Sequence, residues 1–150
     1  MISNDDEEQF IRYMLDNKLI EEKLECVCRY PTSIKAVDDL LQQLVLSDAD
    51  NKGIILGVKA MSDSFRSSYR LYAMQAVEMT YVTVSDSKKY VMLFTSIDKF
   101  KKCSELQGFV FFIRELFQVL ADKDCVDGIA FNINSEEVLL DKSFIKAFLN

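Results

Sequence analysis

Apolar residues recur at helical spacing from residue 4 to about residue 46, and from Ile54 onward they crowd into short, dense runs. Phe10, Tyr13, Met14, Ile20, Leu24 and Val27 keep a helical period through residue 28, with a break at Asp16-Asn17, and Pro31 ends the element. Asn4 followed by Asp5, Asp6, Glu7 and Glu8 is a helix start. Asn4 can cap, Glu7 can complete a capping box, and the carboxylates oppose the positive end of the helix dipole. Thr32 or Ser33 opens a further helix in which Ile34, Val37, Leu41 and Leu44 line one face up to about Leu46. Asp48-Ala49-Asp50-Asn51-Lys52-Gly53 begins like a calcium-binding loop, but Lys52 and Lys59 stand where its fifth and twelfth ligands belong. The segment therefore reads as a helix-to-strand turn.

The later runs predict strands near 54–60, 69–77, 79–85 and 89–95. Tyr81 to Val84 and Lys89 to Phe94 are rich in β-branched and aromatic residues and flank Ser85-Asp86-Ser87-Lys88, the pattern of a hairpin. Thr95 or Ser96 then caps a short helix, with Asp98 reaching back. Gln107-Gly108 interrupts. Phe109, Phe112, Ile113, Leu116, Phe117 and Leu120 follow at helical spacing, reinforced by Val110 and Phe111, and predict a helix over 109–122. Strands at 127–132 and 137–140 precede a last helix, capped by Asp141, that buries Phe144, Ile145 and Phe148. The elements add up to one α+β domain over residues 1–150, with a helical part at 1–50 and a sheet-containing part at 54–149. The sheet is mixed, of five to six strands with one β-α-β crossover, between a helical N-terminal third and a C-terminal helix.

At 150 residues, 49% of them hydrophobic, the chain has material for one well-filled core. The net charge of -6 is uneven: residues 1–25 hold eight acids and three bases, the remainder sixteen and fifteen. Lys and Arg form no block, and an acidic chain is repelled by phosphate backbones, which argues against nucleic acid as a partner. No run approaches the roughly 20 apolar residues of a membrane span. The start Met1-Ile2-Ser3-Asn4-Asp5 lacks a basic region ahead of an apolar one, so a cytoplasmic protein without a membrane partner is expected. Cys26, Cys28, Cys103 and Cys125 read as buried free thiols. A zinc site would have to join Cys-x-Cys to two distant thiols, far from the usual ligand spacing.

Histidine is absent, which removes Ser-His-Asp and Cys-His nucleophiles. Glycine-rich phosphate loops are absent as well, so no cofactor and no metal is expected. Asp38-Asp39 and Glu136-Glu137 read as solvated pairs on a helix start and a turn. Two candidate sites are left. If the strands ending at Thr95 and Asn132 are joined by a crossover through the 109–122 helix, they run parallel. Thr95, Ser96, Asn132 and Asn134 then emerge at one sheet edge, where open sheets place ligands. The simpler alternative is that Thr95 and Ser96 cap a helix while Asn132, Asn134 and Ser135 build a turn, and Gly128 marks close packing. The second candidate is a surface. Phe109, Phe111 and Phe112 belong to an apolar run too broad for a helix that packs on one side only, so it is covered by the N-terminal helices or by another chain, in a homodimer or with a protein partner.

Tyr90-Val91-Met92-Leu93-Phe94-Thr95-Ser96 running into a helix, followed by Val126-Asp127-Gly128-Ile129-Ala130-Phe131-Asn132 and the polar turn Ile133-Asn134-Ser135, resembles the SseB family over roughly residues 54–149. Met92 and Ile133 stand where family members often carry proline. The resemblance implies the strand–helix–helix–strand order above. The family has no agreed biochemical activity; the resemblance and the missing catalytic groups together favour a non-enzymatic cytoplasmic binding or adaptor protein. The alternative is a small-molecule-binding or weakly catalytic domain that uses the Thr95/Asn132 edge.

Overall fold

A computed structural model describes residues 4–71, 81–84 and 87–150. The capping side chain of Asn4, the run of the second expected strand from 72 to 77 and the start of the third at 79 lie outside what the structure describes. Three helices open the chain: α1 (Asn4–Met14), α2 (Lys18–Arg29) and α3 (Ile34–Ala49). The break between the first two falls at Asp16-Asn17 as the periodicity indicates, and Ser33 caps α3 by accepting from the Ala36 N–H at 3.1 Å. There follow β1 (Gly53–Lys59), a 3₁₀ turn (Asp63–Phe65), β2 (Tyr69–Leu71), β3 (Tyr81–Val84), β4 (Lys88–Phe94) and α4 (Ile97–Lys101). The chain ends with β5 (Leu106–Phe112), α5 (Ile113–Ala121), β6 (Gly128–Phe131), β7 (Val138–Asp141) and α6 (Lys142–Leu149).

The architecture is α+β. A mixed sheet follows the path β2-β5-β1-β4-β6-β7, and β3 pairs with the first half of β4 as a seventh strand. The β3–β4 hairpin forms as expected, and β4 and β6 are parallel neighbours in the register Tyr90↔Gly128 to Leu93↔Phe131. Alternation along each strand supplies two faces. One carries Ile54, Leu56, Val91, Leu93, Phe109, Phe111, Ile129 and Phe131 and packs against α2, α3, α5 and α6. The other carries Ile55, Met92, Phe94 and Val110 and packs against Ile11 and Met14 of α1, Leu15 just after it, and Phe100 of α4. Each large side chain so buried contributes about 1.5–3 kcal/mol.

One element differs from the sequence reading. Phe109 to Phe112 are not the first turn of a helix but the end of β5, a strand that pairs with β1 along its whole length. Both faces of β5 are covered, so its apolar residues are continuous rather than alternating, and periodicity cannot separate such a run from a buried helix. Gly108 is no interruption. A Cβ there would come within 2.7 Å of Ile55 Cγ2 and 3.1 Å of the Phe100 ring, so glycine lets β5 lie under α4. The helix begins only at Ile113, where Asp48 at the end of α3 accepts from the Arg114 N–H at 3.0 Å. The connection from β4 to β6 is thus α4–β5–α5 and not a single helix.

Two substitutions test this arrangement. Phe111 is 3% exposed, so Phe111→Lys buries an unpaired ammonium and is expected to unfold the chain, seen as loss of the cooperative urea transition. A Cβ at Gly128 would meet the Leu140 carbonyl oxygen and the Asp141 backbone, so Gly128→Ala is expected to cost about 1–3 kcal/mol in the same measurement.

Candidate functional site

Parallel pairing of β4 with β6 sets Thr95 and Asn132 side by side at the carboxyl ends of the two strands, both fully buried. Asn132 holds the left-handed conformation at φ 49°, which asparagine tolerates better than most residues. Its Oδ1 accepts from the Thr95 N–H at 3.0 Å and its Nδ2 donates to Thr95 Oγ1 at 3.0 Å. The Thr95 hydroxyl in turn donates to Glu21 Oε2 on α2 at 2.6 Å. Asn17, 3% exposed at the N-terminus of α2, donates from Nδ2 to the carbonyls of Gly53 and Thr95, both at 2.8 Å. The start of β1 and the end of β4 are therefore fastened to one side chain of the α1–α2 junction. Among the described residues, Asn17 Oδ1 has no partner.

Of the four edge residues expected from sequence, the structure joins Thr95 and Asn132 directly and gives the others local work. Ser96 caps α4, accepting from the Lys99 N–H at 3.2 Å. Asn134 is exposed, with φ 71°, and its amide donates to Cys103 Sγ at 3.5 Å. Sequence reasoning missed Asn17 and Glu21, because a helix break and a helix-surface acid carry no sign of what they reach in space. It also misread Glu136 as solvated. Lys99 Nζ lies 2.6 Å from Glu136 Oε1 and 2.9 Å from Ser135 Oγ, and the side chains of Lys99 and Glu136 are only 20% and 26% exposed.

The contact of Ser135 with Lys99 has the separation of a serine–lysine nucleophile, but the electrostatics oppose that chemistry. A lysine acting as base must lose its proton near neutrality. Here the Glu136 hydrogen bond, only partly offset by burial, raises the Lys99 pKa above its ordinary value, with Glu21 and Glu25 adding to it. Burial works against ionisation of Glu136, yet the Lys99 hydrogen bond leads the interactions that bring its pKa below the usual carboxylate value. Both shifts favour the charged forms of the pair.

The cysteines are free but not buried as expected: Cys26 and Cys103 are half-buried, Cys28 and Cys125 exposed. Burial, then Glu136, Glu25 and Glu137, push the Cys28 thiol up, and burial raises Cys103 against the Asn134 hydrogen bond. Both shifts disfavour the reactive thiolate. Among the described residues no cluster of His, Cys, Asp and Glu is arranged to hold a metal, and no helix is long and apolar enough to cross a membrane.

The expected surface at Phe109, Phe111 and Phe112 falls apart into different environments. Phe109 and Phe111 lie in the core, while Phe112 is 36% exposed and packs edge-on against Phe10 at 6.4 Å. The broad helical face that motivated it does not exist, because the residues belong to β5. No protein-family model, curated protein or solved structure matches the chain.

Asn132→Ala removes two buried hydrogen bonds and leaves a left-handed residue without its local bonds. It is expected to cost about 2–4 kcal/mol by urea unfolding. Lys99→Met leaves Glu136 largely buried without its cation and is expected to cost about 1–3 kcal/mol at pH 7. The carboxylate's share of this stability is present above pH 4.5 and is lost as pH falls through the lowered Glu136 pKa. The ammonium's share is present below pH 10.5 and is lost as pH rises through the raised Lys99 pKa. The difference between wild type and Lys99→Met should therefore shrink in acid and in strong base.

Proposed function

We propose that the chain is a non-enzymatic cytoplasmic binding or adaptor module of the SseB type. The observation that carries this reading is the closure of the carboxyl edge. The polar groups of Thr95 and Asn132 bond to each other and to Glu21, and Asn17 takes the Thr95 carbonyl, so the position where an open sheet receives a ligand is filled by the chain's own α1–α2 junction. The shifted groups beside it, Lys99 and Glu136, are shifted toward their charged forms, which suits structure better than proton transfer. Large apolar side chains stand exposed elsewhere, among them Leu19, Tyr30, Ile34 and Leu46 on the N-terminal helices, and such surface is a resource for partner binding. The strand ends of the SseB-like motif, Thr95-Ser96 and Asn132 to Ser135, meet around this closed edge. β5 stands between α4 and α5, which departs from the strand–helix–helix–strand order that the resemblance implied.

The competing reading takes the same edge as a small-molecule site, with Thr95 and Asn132 released from Asn17 and Glu21 to meet a ligand. Native mass spectrometry of the full chain purified from its own host under mild conditions separates the two. The adaptor reading expects the mass of the polypeptide, alone or with a protein partner. A stoichiometric small molecule that disappears in Thr95→Val would replace it with the small-molecule reading.

A further inference from the structure

Leu19 on α2 and Leu46 on α3 are 57% and 64% exposed, and both line one groove of about 580 Å³ between the α1–α2 junction and the end of α3. They are not displaced core residues, since Ile20 and Leu24 of α2 and Leu40 and Leu44 of α3 already fill the inner faces of those helices with no exposed surface. The groove also holds the carboxylates of Asp16, Glu22 and Asp50. Among the described residues none of the three is in an ion pair, whereas Glu25 and Asp39 on the same helices pair with Arg29 and Lys35. Lys52, also in the lining, has Nζ 3.0 Å from the Tyr13 carbonyl and 3.6 Å from the centre of its ring. The lining thus sets three carboxylates against two lysines, Lys18 and Lys52, and is negative by one charge.

The surroundings have the same sign. Residues 1–50 contain twelve acids and five bases, and residues 51–150 twelve and thirteen, so the net negative charge of the chain resides in its helical first third. A second copy seated here through a two-fold axis would set that acidic layer against itself, and a phosphate-bearing surface would meet the same repulsion. Charge and apolarity together select one kind of occupant.

We infer that this groove docks a basic amphipathic segment of a partner protein, seating an apolar side chain between Leu19 and Leu46 and setting Lys or Arg residues against Asp16, Glu22 and Asp50. The inference rests on the binding-module reading and gives the partner a chemistry. Pockets of this volume accept side-chain-sized groups, and a groove of net negative charge that exposes two leucines, set in an acidic helical layer, rewards positive charge on the incoming segment.

The test is fluorescence anisotropy of the full chain with a labelled synthetic peptide carrying Leu and Lys at helical spacing, beside a peptide in which every Lys is Glu. Saturable one-to-one binding of the Lys peptide, absence of binding by the Glu peptide, and weakening on adding salt are expected. The double variant Leu19→Ser/Leu46→Ser changes only exposed side chains, so its circular dichroism should be that of the wild type, and its affinity should fall about tenfold or more. Glu22→Lys should weaken binding more than Asp124→Lys, which makes the same charge change at an exposed position far from the groove in sequence and outside its lining. No binding of the Lys peptide, equal effects of the two lysine variants, or indifference to the leucine substitutions would overturn the docking site. So would a wild-type dimer in sedimentation equilibrium that Leu46→Ser dissociates, because the occupant would then be a second copy. Those results leave the binding-module reading to other surfaces; a stoichiometric ligand lost in Thr95→Val removes that reading by a separate measurement.

Discussion

The buried polar joint at the carboxyl ends of β4 and β6 is the constraint on which the other parts depend. Parallel strands cannot be joined by a tight turn, so β4 and β6 have to be brought together across α4, β5 and α5. Their ends then leave donors and acceptors out of reach of water. Asn132 accepts from the Thr95 N–H and donates to its hydroxyl oxygen, the hydroxyl donates to Glu21, and Asn17 donates to the carbonyls of Thr95 and Gly53. A satisfied hydrogen bond gains only about 0.5–1.5 kcal/mol, but each group left orphaned there costs about 1–3 kcal/mol, so the joint acts mainly by forbidding other arrangements. It also sets the docking of α2. With Asn17 and Glu21 fixed to the sheet, Ile20, Leu24 and Val27 fall onto the core face at the next turns of the helix.

A sheet covered on both faces has consequences for its chemistry. The helices that cover it occupy the place where an open sheet would keep a crevice, and the titratable groups nearby are drawn into pairs. Lys99 and Glu136 stabilise each other's charge, and Cys28 sits among carboxylates that oppose a thiolate. Proton transfer and nucleophilic attack both need the reverse, a group held close to its uncharged or activated form. What α1, α2 and α3 present outward is a negatively charged surface with exposed leucines, the surface on which the proposed docking rests.

Local chemistry fixed a large part of this from sequence alone. The Asp16-Asn17 break, the Ser33 cap, the β3–β4 hairpin and the Asp141 start of α6 are written in residues within a few positions of one another, and each formed where those residues lie. The parallel partnership of β4 and β6 also followed, because an apolar segment too long for a loop had to cross between them. The Thr95–Asn132 meeting was legible for the same reason: each residue ends a strand whose neighbour was known.

Only the tertiary structure could decide the rest. Phe109-Val110-Phe111-Phe112 reads from sequence as the start of a helix, and its unbroken apolar run carries no period that would have marked a doubly covered strand. It became β5 because β1 offers a full ladder on one side and Gly108 lets α4 close over the other. Asn17, Glu21 and Glu136 look like ordinary polar residues of a helix break, a helix surface and a turn. Their partners, Thr95 and Lys99, lie 78, 74 and 37 positions away, a separation no local pattern encodes. Sequence determined which stretches could bury a face and where they had to stop. The three-dimensional packing determined which buried polar atoms had to find each other, because that need arises only once water has been excluded from between them.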